Sequence, residues 1–223
     1  MGRSIRITLV LEYKSYWRKS GLKGKWGNIY LDQLNKYKPK NFLEIGVFCG
    51  VTARNTCDYL NQIHGDEFKY IGVDLFGTSQ KNLKDEIKPS FLKNQKFSNP
   101  LKNIYYNYIL KENLNSLESN KKFLQKYEKN VQLIAGDTNE VLKKIDLSSI
   151  DFVFLDGGHS YKTVLNDLEI IYMNLKNKNK VILCDDYGEE SLIKEVKNAI
   201  DDFTKTNNIK LSIIEKRFAE LII

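Results

Sequence analysis

The chain has 223 residues, the length of one domain or of one domain that carries an insertion. Its residues are 42% hydrophobic and 12% aromatic, a globular composition that excludes a mostly disordered chain. Lysine and arginine number 35 against 28 acidic residues, so the formal net charge is +7. Such an excess suits a polyanionic partner such as nucleic acid. The lysines are scattered among acids, however, and we interpret them as a compositional bias.

Three cysteines without metal-like spacing predict a protein that is kept reduced inside the cell. The early apolar run, residues 7–11, is too short for the core of a signal peptide. No segment approaches the roughly 20 apolar residues of a membrane span. We therefore expect a cytoplasmic chain without a membrane-spanning helix.

Short apolar runs alternate with amphipathic stretches along the chain. The runs are nearly continuous, which is typical of strands buried on both faces of a parallel sheet. They are residues 41–45, 70–75, 131–135, 151–155 and 181–184. The stretches between them have apolar residues at helical spacing, at 52–63, 138–145, 161–175 and 190–203. This alternation predicts a doubly wound α/β sheet.

The end of the chain has a different pattern. Two strand-like runs, residues 209–214 and 218–223, flank a charged turn and predict an antiparallel hairpin at one edge of the sheet. Two other segments also stand outside the alternation. Residues 1–27 mix aromatic and basic side chains, and residues 76–130 are too long for a structureless loop, so they are predicted to add helices. We expect one domain, residues 1–223, in which residues 1–27 and 76–130 cover the site where a substrate binds.

Acidic residues follow all five predicted parallel strands. Ligands of an open α/β sheet bind beyond the carboxyl ends of its strands, so these acids are expected at one rim. They are Glu44, close to Gly46 and Gly50, then Asp74, Asp137 and Asp156, and last the pair Asp185 and Asp186. A carboxylate at Asp74 can accept both hydroxyls of a ribose, and Glu44 suits a cationic ligand. The alternative for Asp74 and Asp137 is that each caps the helix that follows it.

Together these segments resemble the class I S-adenosylmethionine-dependent methyltransferases, from about residue 28 to the end. The resemblance rests on Phe42-Leu-Glu-Ile-Gly-Val-Phe-Cys-Gly50, Gly72-Val-Asp-Leu75, Ala135-Gly-Asp137, Ile150-Asp-Phe-Val-Phe-Leu-Asp-Gly-Gly-His-Ser-Tyr161 and Val181-Ile-Leu-Cys-Asp-Asp-Tyr187. The last two motifs resemble the metal-dependent, macrocin-type sugar O-methyltransferases, and more distantly the catechol O-methyltransferases. The family implies a Rossmann-like seven-stranded sheet of order 3-2-1-4-5-7-6, with strand 7 antiparallel.

The resemblance also implies roles in cofactor binding. Glu44, Gly46 and Gly50 would hold the methionine part of S-adenosylmethionine, Asp74 the ribose and Asp137 the adenine side. Asp156 would border the cofactor as well, close to the reacting groups.

Asp156, Asp185 and Asp186 match the metal-ligand positions of the same branch. Carboxylates at the ends of neighbouring strands repel one another unless they are protonated or neutralised. Mg2+ or a similar divalent cation is therefore the expected partner, since hard cations prefer oxygen ligands. The alternative is that the three are separate capping and solvated acids.

His159 lies three residues beyond Asp156, within reach of the same rim. Imidazole accepts a proton near neutral pH, and the resemblance implies that His159 is the general base for an acceptor hydroxyl. A structural histidine is the alternative for this position. His64 has no comparable surroundings and is interpreted as structural.

The predicted function is methyl transfer from S-adenosylmethionine to a hydroxyl of a small molecule or glycan, with sugars favoured over catechol-like phenols. A nucleic-acid methyltransferase is one alternative, but the Asn/Asp-Pro-Pro-Tyr/Phe run of base-amino methyltransferases is missing after the fourth strand. A non-catalytic module that binds S-adenosylmethionine is the other. Edge strands and the aromatic amino-terminal arm favour a homodimer.

Overall fold

A seven-stranded sheet forms the centre of the computed structural model, which describes residues 12–77, 97–176 and 178–223. The strands are β1 (Asn41–Ile45), β2 (Lys69–Asp74), β3 (Val131–Ala135), β4 (Phe152–Leu155), β5 (Val181–Cys184), β6 (Leu211–Ile214) and β7 (Phe218–Ile222). Their spatial order is β3-β2-β1-β4-β5-β7-β6. Strands β1 to β5 are parallel, and β7 pairs antiparallel with both β5 and β6. The predicted fold class and strand order are confirmed.

Helices cover both faces of this sheet. They are α1 (Lys25–Tyr37), α2 (Val51–His64), α3 (Pro100–Ile104), α4 (Leu117–Phe123), α5 (Thr138–Val141), α6 (Tyr161–Leu175) and α7 (Lys194–Thr206). Helix α3 continues as a π-helical turn, Tyr105–Leu110, and short 3-10 turns span Gln125–Tyr127 and Leu142–Lys144. In the described parts of the chain, no helix has the length and apolar character needed to cross a membrane.

Two predicted helix boundaries shift in the structure. The helix expected over 138–145 is one α-helical turn, α5, followed by the 3-10 turn. Helix α7 begins at Lys194 instead of residue 190, because the Ile193 backbone is extended and its N–H donates to the Asp186 carbonyl. The described part of segment 76–130 contains helices α3 and α4, as expected, while residues 78–96 lie outside the described residues.

The two faces of the sheet differ in composition, because successive strand residues point to opposite sides. One face is mainly aliphatic and packs against α6 and α7. The other is rich in aromatic residues and packs against α1 and α2. On this aromatic face the Phe42 ring stacks on Tyr70, with centroids 5.9 Å apart, and on Phe152 at 5.4 Å. Near-continuous apolar strands are therefore explained by burial on both sides.

Glu44 lies on the aromatic face, two residues beyond Phe42, and is fully buried. The Tyr70 hydroxyl donates a 2.6 Å hydrogen bond to its Oε2. Its Oε1 has no hydrogen-bond partner among the described residues. Burial raises the pKa of the Glu44 carboxyl to about 8, although the Tyr70 bond opposes the rise. The carboxyl is therefore mainly protonated at neutral pH.

Gly46 follows β1 at the point where the loops after β1 and β4 touch. Its φ is +92°, and a Cβ added there would lie 2.0 Å from the Asp156 carbonyl oxygen. Both the backbone conformation and the lack of space therefore require glycine.

Replacing Gly46 with alanine should destabilise the fold far more than the same change at Gly65. Gly65 also has a positive φ, +60°, but a Cβ there meets nothing within 4 Å. Gly65→Ala should therefore cost only the conformational strain, roughly 1–2 kcal/mol, whereas Gly46→Ala must also move the Asp156 backbone. Urea unfolding of both variants measures the difference, and equal losses would contradict the close contact.

Glu44→Gln should make stability less dependent on pH. Because the folded pKa of Glu44 lies above the unfolded one, its stabilising effect is complete below about pH 4.5 and is lost as pH rises towards 8. Between pH 6 and 8 the wild type should therefore lose roughly 1.4 kcal/mol per pH unit relative to the variant. Chemical unfolding of both proteins across this range tests this, and parallel curves would mean that Glu44 is ionised in the fold.

Candidate active site

A cavity of about 550 Å³ lies beyond the carboxyl ends of the parallel strands. The loops after β1, β2, β3, β4 and β5 all contribute to its wall, as expected for an open α/β sheet. Of the residues predicted from the sequence, those that line it are Gly46, Asp74, Asp137, Asp156, His159, Asp185 and Asp186. The structure thus brings seven of the nine predicted positions to one wall.

Glu44 and Gly50 are not among the described residues that line the cavity. Glu44 is buried among the aromatic residues beside the cavity floor. Gly50 begins α2 with a φ of +74°, and a Cβ there would lie 2.2 Å from the Asn120 Oδ1. Glycine is required at this position by the packing of Asn120. Direct contact of these two residues with a cofactor stays a prediction.

Asp74 joins the loops that follow β1 and β2. Its Oδ2 accepts a 2.8 Å hydrogen bond from the Phe48 N–H, and its Oδ1 accepts one of 2.6 Å from Phe76. Burial raises the pKa of the Asp74 carboxyl, while these backbone donors oppose the rise. Asp74 is thus held at the cavity wall, where its carboxylate can accept a ribose hydroxyl.

Asp137 caps α5, which was the alternative considered for it. Its Oδ1 accepts hydrogen bonds from the backbone N–H of Asn139 at 2.9 Å and from the side-chain amide of the same residue at 2.7 Å. The same residue lines the cavity, as do its neighbours Gly136 and Thr138. Capping and a place beside a bound ligand are therefore compatible at Asp137.

The side of the cavity formed by β4 and β5 holds three carboxyl groups. Asp156 follows β4, and Asp185 and Asp186 follow β5. Burial raises the pKa of the Asp156 carboxyl well above its usual range, and the neighbouring charges of Asp185 and Asp186 add to the rise. The mutual repulsion expected from the sequence is therefore present.

His159 lies in the short loop between β4 and α6. The loop ends where the Ser160 Oγ accepts a 3.2 Å hydrogen bond from the Thr163 N–H and caps the helix. The His159 Nε2 is 3.4 Å from the Asp186 Oδ2, and 42% of the His159 side chain is exposed. His159 thus faces the cavity with a carboxylate beside it, an arrangement that can accept and stabilise a proton.

Arg217 binds Asp185, and sequence reasoning missed this residue by treating it as part of a charged turn. Its Nε donates to Asp185 Oδ1 and its Nη2 to Oδ2, both at 2.7 Å. The strand order indicates where Arg217 lies. Because β7 runs antiparallel to β5, residues just before β7 must lie at the rim where β5 ends.

The predicted metal ligands do not fit a divalent cation in this arrangement. Across the described ranges, no three His, Cys, Asp or Glu side chains are placed to hold a metal ion. Both oxygens of Asp185 accept hydrogen bonds from Arg217, and Oδ1 accepts another from the Asp186 N–H at 2.8 Å. A metal ion bound by Asp156, Asp185 and Asp186 would have to compete with this guanidinium for the Asp185 carboxylate.

Arg18 is a second residue that the sequence analysis missed. Its Nε donates to the Cys49 carbonyl and its Nη2 to the Leu114 carbonyl, both at 2.8 Å. Its guanidinium also lies 4.4 Å from the centroid of the Phe123 ring. Arg18 therefore ties the amino-terminal arm and segment 97–130 to the glycine-containing loop. No sequence signal indicates this, because the partners are up to 101 residues away.

The described parts of the two predicted covering segments reach the cavity. Lys19, Ser20 and Gly21 of the arm line it, as does Asn115 of the insertion. Asn120 adds a further tie, since its Nδ2 donates to the Phe48 carbonyl at 3.0 Å. Residues 1–11 of the arm and 78–96 of the insertion lie outside the described residues.

Comparisons with known proteins agree with this geometry. Residues 43–187 match the family model described as a methyltransferase domain. A search of curated proteins finds no significant sequence match. Among solved structures, the SAH-bound methyltransferase PaMTH1 of Podospora anserina is similar with a TM-score of 0.56 and 14% identity, over 90% of this chain and 79% of that one.

Two further similar structures are also named as methyltransferases. The O-methyltransferase NovP is similar with a TM-score of 0.58 and 14% identity, over 88% of this chain and 80% of that one. The calicheamicin methyltransferase CalS11 has a TM-score of 0.55 and 18% identity, over 87% and 77%. At these identities the likeness establishes the fold, whereas the family model covers more than half of the chain. The chain therefore belongs to the methyltransferase domain family and is a class I S-adenosylmethionine-dependent methyltransferase.

Proposed function

We propose that this protein transfers the methyl group of S-adenosylmethionine to a hydroxyl oxygen of a small molecule or glycan, with His159 as the general base. The position of His159 carries this proposal. It lies on the wall of the cavity at the end of β4, 3.4 Å from Asp186, whereas Asp74 lies at the end of β2. Two different parts of one cavity are thus available for cofactor and acceptor.

The part over β1, β2 and β3 suits the cofactor. Asp74 offers two carboxylate oxygens to a ribose, and Asp137 lies farther along, at the start of α5. Gly46 allows the backbone to approach a ligand closely because it has no side chain. When bound, S-adenosylmethionine supplies an electrophilic methyl group on a positively charged sulfur. Asp156, at the end of β4, would place a carboxyl group beside that charge.

The part over β4 and β5 suits the acceptor. In the proposed step His159 removes the hydroxyl proton while the acceptor oxygen forms a bond to the methyl carbon. The bond between that carbon and sulfur breaks, and S-adenosylhomocysteine leaves with the electron pair. Asp186 stabilises the imidazolium that results, because a carboxylate next to a histidine favours its charged form. Holding the reactants in line under a cover provides much of the acceleration.

A sugar hydroxyl is the favoured acceptor, followed by catechol-like phenols. The support is an aromatic and basic region beside the cavity. Trp17 is 42% exposed and its ring lies 5.5 Å from that of Tyr105, between centroids. Lys19, two residues along the arm, lines the cavity itself. An aromatic face and a cation suit a glycoside that carries an acidic or phosphate group, and CalS11 is described as a TDP-rhamnose 3'-O-methyltransferase. The metal predicted from the resemblance is not part of the proposal.

His159→Ala should lower kcat by about 100-fold or more while S-adenosylmethionine binding changes little, because a general base contributes 10²–10⁴-fold. The decline of the wild-type rate at acidic pH, as imidazole is protonated, should also disappear. Turnover with a panel of glycosides and phenols, followed across pH, measures kcat and its pH dependence. Calorimetry measures cofactor binding.

His64→Ala is the matched control, because its Nε2 contacts the Pro39 carbonyl at 2.9 Å, away from the described cavity wall. It should leave the rate close to that of the wild type. Equal losses of rate and cofactor affinity in His159→Ala would instead indicate a structural histidine. Cofactor binding without transfer to any acceptor would support the non-catalytic module.

A further inference from the structure

We propose that Arg217 supplies, within the active site, the positive charge that a divalent cation would supply in metal-dependent relatives, so that methyl transfer here requires no bound metal. This inference rests on the proposed function, because it concerns the same acceptor side of the cavity. Arg217 lines that cavity together with Asp185, Asp186 and His159.

The hydrogen bonds of Asp185 carry the first step of the argument. A carboxylate oxygen has two lone pairs in its plane. The Asp185 Oδ1 accepts from the Arg217 Nε at 2.7 Å and from the Asp186 N–H at 2.8 Å, so its lone pairs are both used. The Oδ2 accepts from the Arg217 Nη2 at 2.7 Å. The bidentate pair thus engages both oxygens of the predicted metal ligand, and a metal ion would have to compete with the guanidinium for them.

The guanidinium is also held in place by its surroundings. Only 8% of Arg217 is exposed, and its guanidinium carbon lies 5.5 Å from the centroid of the Trp26 ring and 5.6 Å from that of Phe218. These rings contact a planar cation favourably, which a hydrated metal ion could not reproduce. If Arg217 moved away from Asp185, it would lose both the ion pair and the contacts with the two rings.

The backbone of the turn between β6 and β7 fixes Arg217 against the end of β5. The Arg217 carbonyl accepts hydrogen bonds from the N–H groups of Tyr187, at 3.2 Å, and Gly188, at 2.9 Å. A Cβ at Gly188 would lie 2.0 Å from the Lys216 carbonyl oxygen, so glycine is needed for this approach. The cation is therefore part of the fold, and it is oriented before any ligand binds.

The pairing determines which charges face the ligands. Asp185 and Arg217 form a neutral pair, so at the ends of β4 and β5 Asp156 and Asp186 are the lining carboxyls that are outside this pair. Asp186 lies beside His159, which becomes positive when it accepts the acceptor proton. The pair uses Nε and one N–H of Nη2, and Arg217 lines the cavity, so its positive charge lies at the wall beside His159 and Asp186. Arg217 is thus a positioning residue that also neutralises charge.

Metal binding by the wild-type protein is the first test, and it needs no turnover. Calorimetric titration of Mn2+ and of Mg2+ into the full chain with S-adenosylmethionine should show no stoichiometric binding. Exhaustive treatment with a chelator should leave the rate of methyl transfer within about twofold of the untreated rate. Stoichiometric Mn2+ binding that is lost in Asp185→Asn, or a rate restored only by Mg2+, would overturn the proposal.

Substitution of Arg217 is the second test. Arg217→Met keeps an apolar stem and removes the charge, and it should lower kcat by about 100-fold, the loss typical when a preorganised donor is removed. Cofactor affinity and the KM of the acceptor should change much less. Arg217→Lys should recover part of kcat, since it restores the charge without the bidentate geometry.

Lys216→Met is the matched control, because it removes the same charge from the same turn at a side chain that is 73% exposed. It should retain full activity, and equal losses in the two methionine variants would overturn the proposal. If Arg217→Met does not fold, the chelator and titration results on the wild type still decide. A wild type that binds cofactor and no metal but methylates no acceptor would refute the proposed function, independently of the metal-binding result.

Discussion

Asp185 and Arg217 form a buried ion pair that joins the end of β5 to the turn between β6 and β7. The arrangement of the cavity wall at the ends of β4 and β5 depends on this pair. Asp185 would be an unpaired charge in a buried position without the guanidinium, and buried charges are stable only when they are paired. The Asp186 N–H donates to the same carboxylate, so the pair also orients the residue that lies next to His159. A single charge interaction therefore positions both Arg217 and Asp186, the neighbour of His159.

The part of the cavity wall at the ends of β1 and β2 is organised by backbone contacts. Asp74 receives the N–H groups of Phe48 and Phe76, which fixes the loops after β1 and β2 against each other. Arg18 and Asn120 then attach the arm and the insertion to carbonyl groups of the loop after β1. The cover of the cavity and the glycine-containing loop consequently share hydrogen bonds. The loops that line the cavity and the two segments attached to them therefore form one packed unit.

Sequence patterns predicted the fold well because its determinants are local. Continuous apolar runs mark strands that are buried on both faces, and the rim acids follow from the rule that ligands bind beyond the carboxyl ends of parallel strands. The position of α7 was less accurate, since its start depends on a hydrogen bond from Ile193 to the distant Asp186 carbonyl. The alternation of side chains along β1 places Glu44 among aromatic residues beside Tyr70, and its contact with a cofactor stays a prediction.

The amino-acid sequence by itself determined the alternation of strands and helices, the single rim at which acids gather and the presence of His159 on that rim. These features depend on residue type, spacing and chain direction, all of which are local properties. Only the tertiary structure decided which charges meet there. Arg217 reaches Asp185 across 32 residues because β7 runs back along β5, and Arg18 reaches Leu114 across 96 residues. Packing and the cost of an unpaired buried charge select long-range partners of this kind. Neither of these effects is visible in a local sequence pattern.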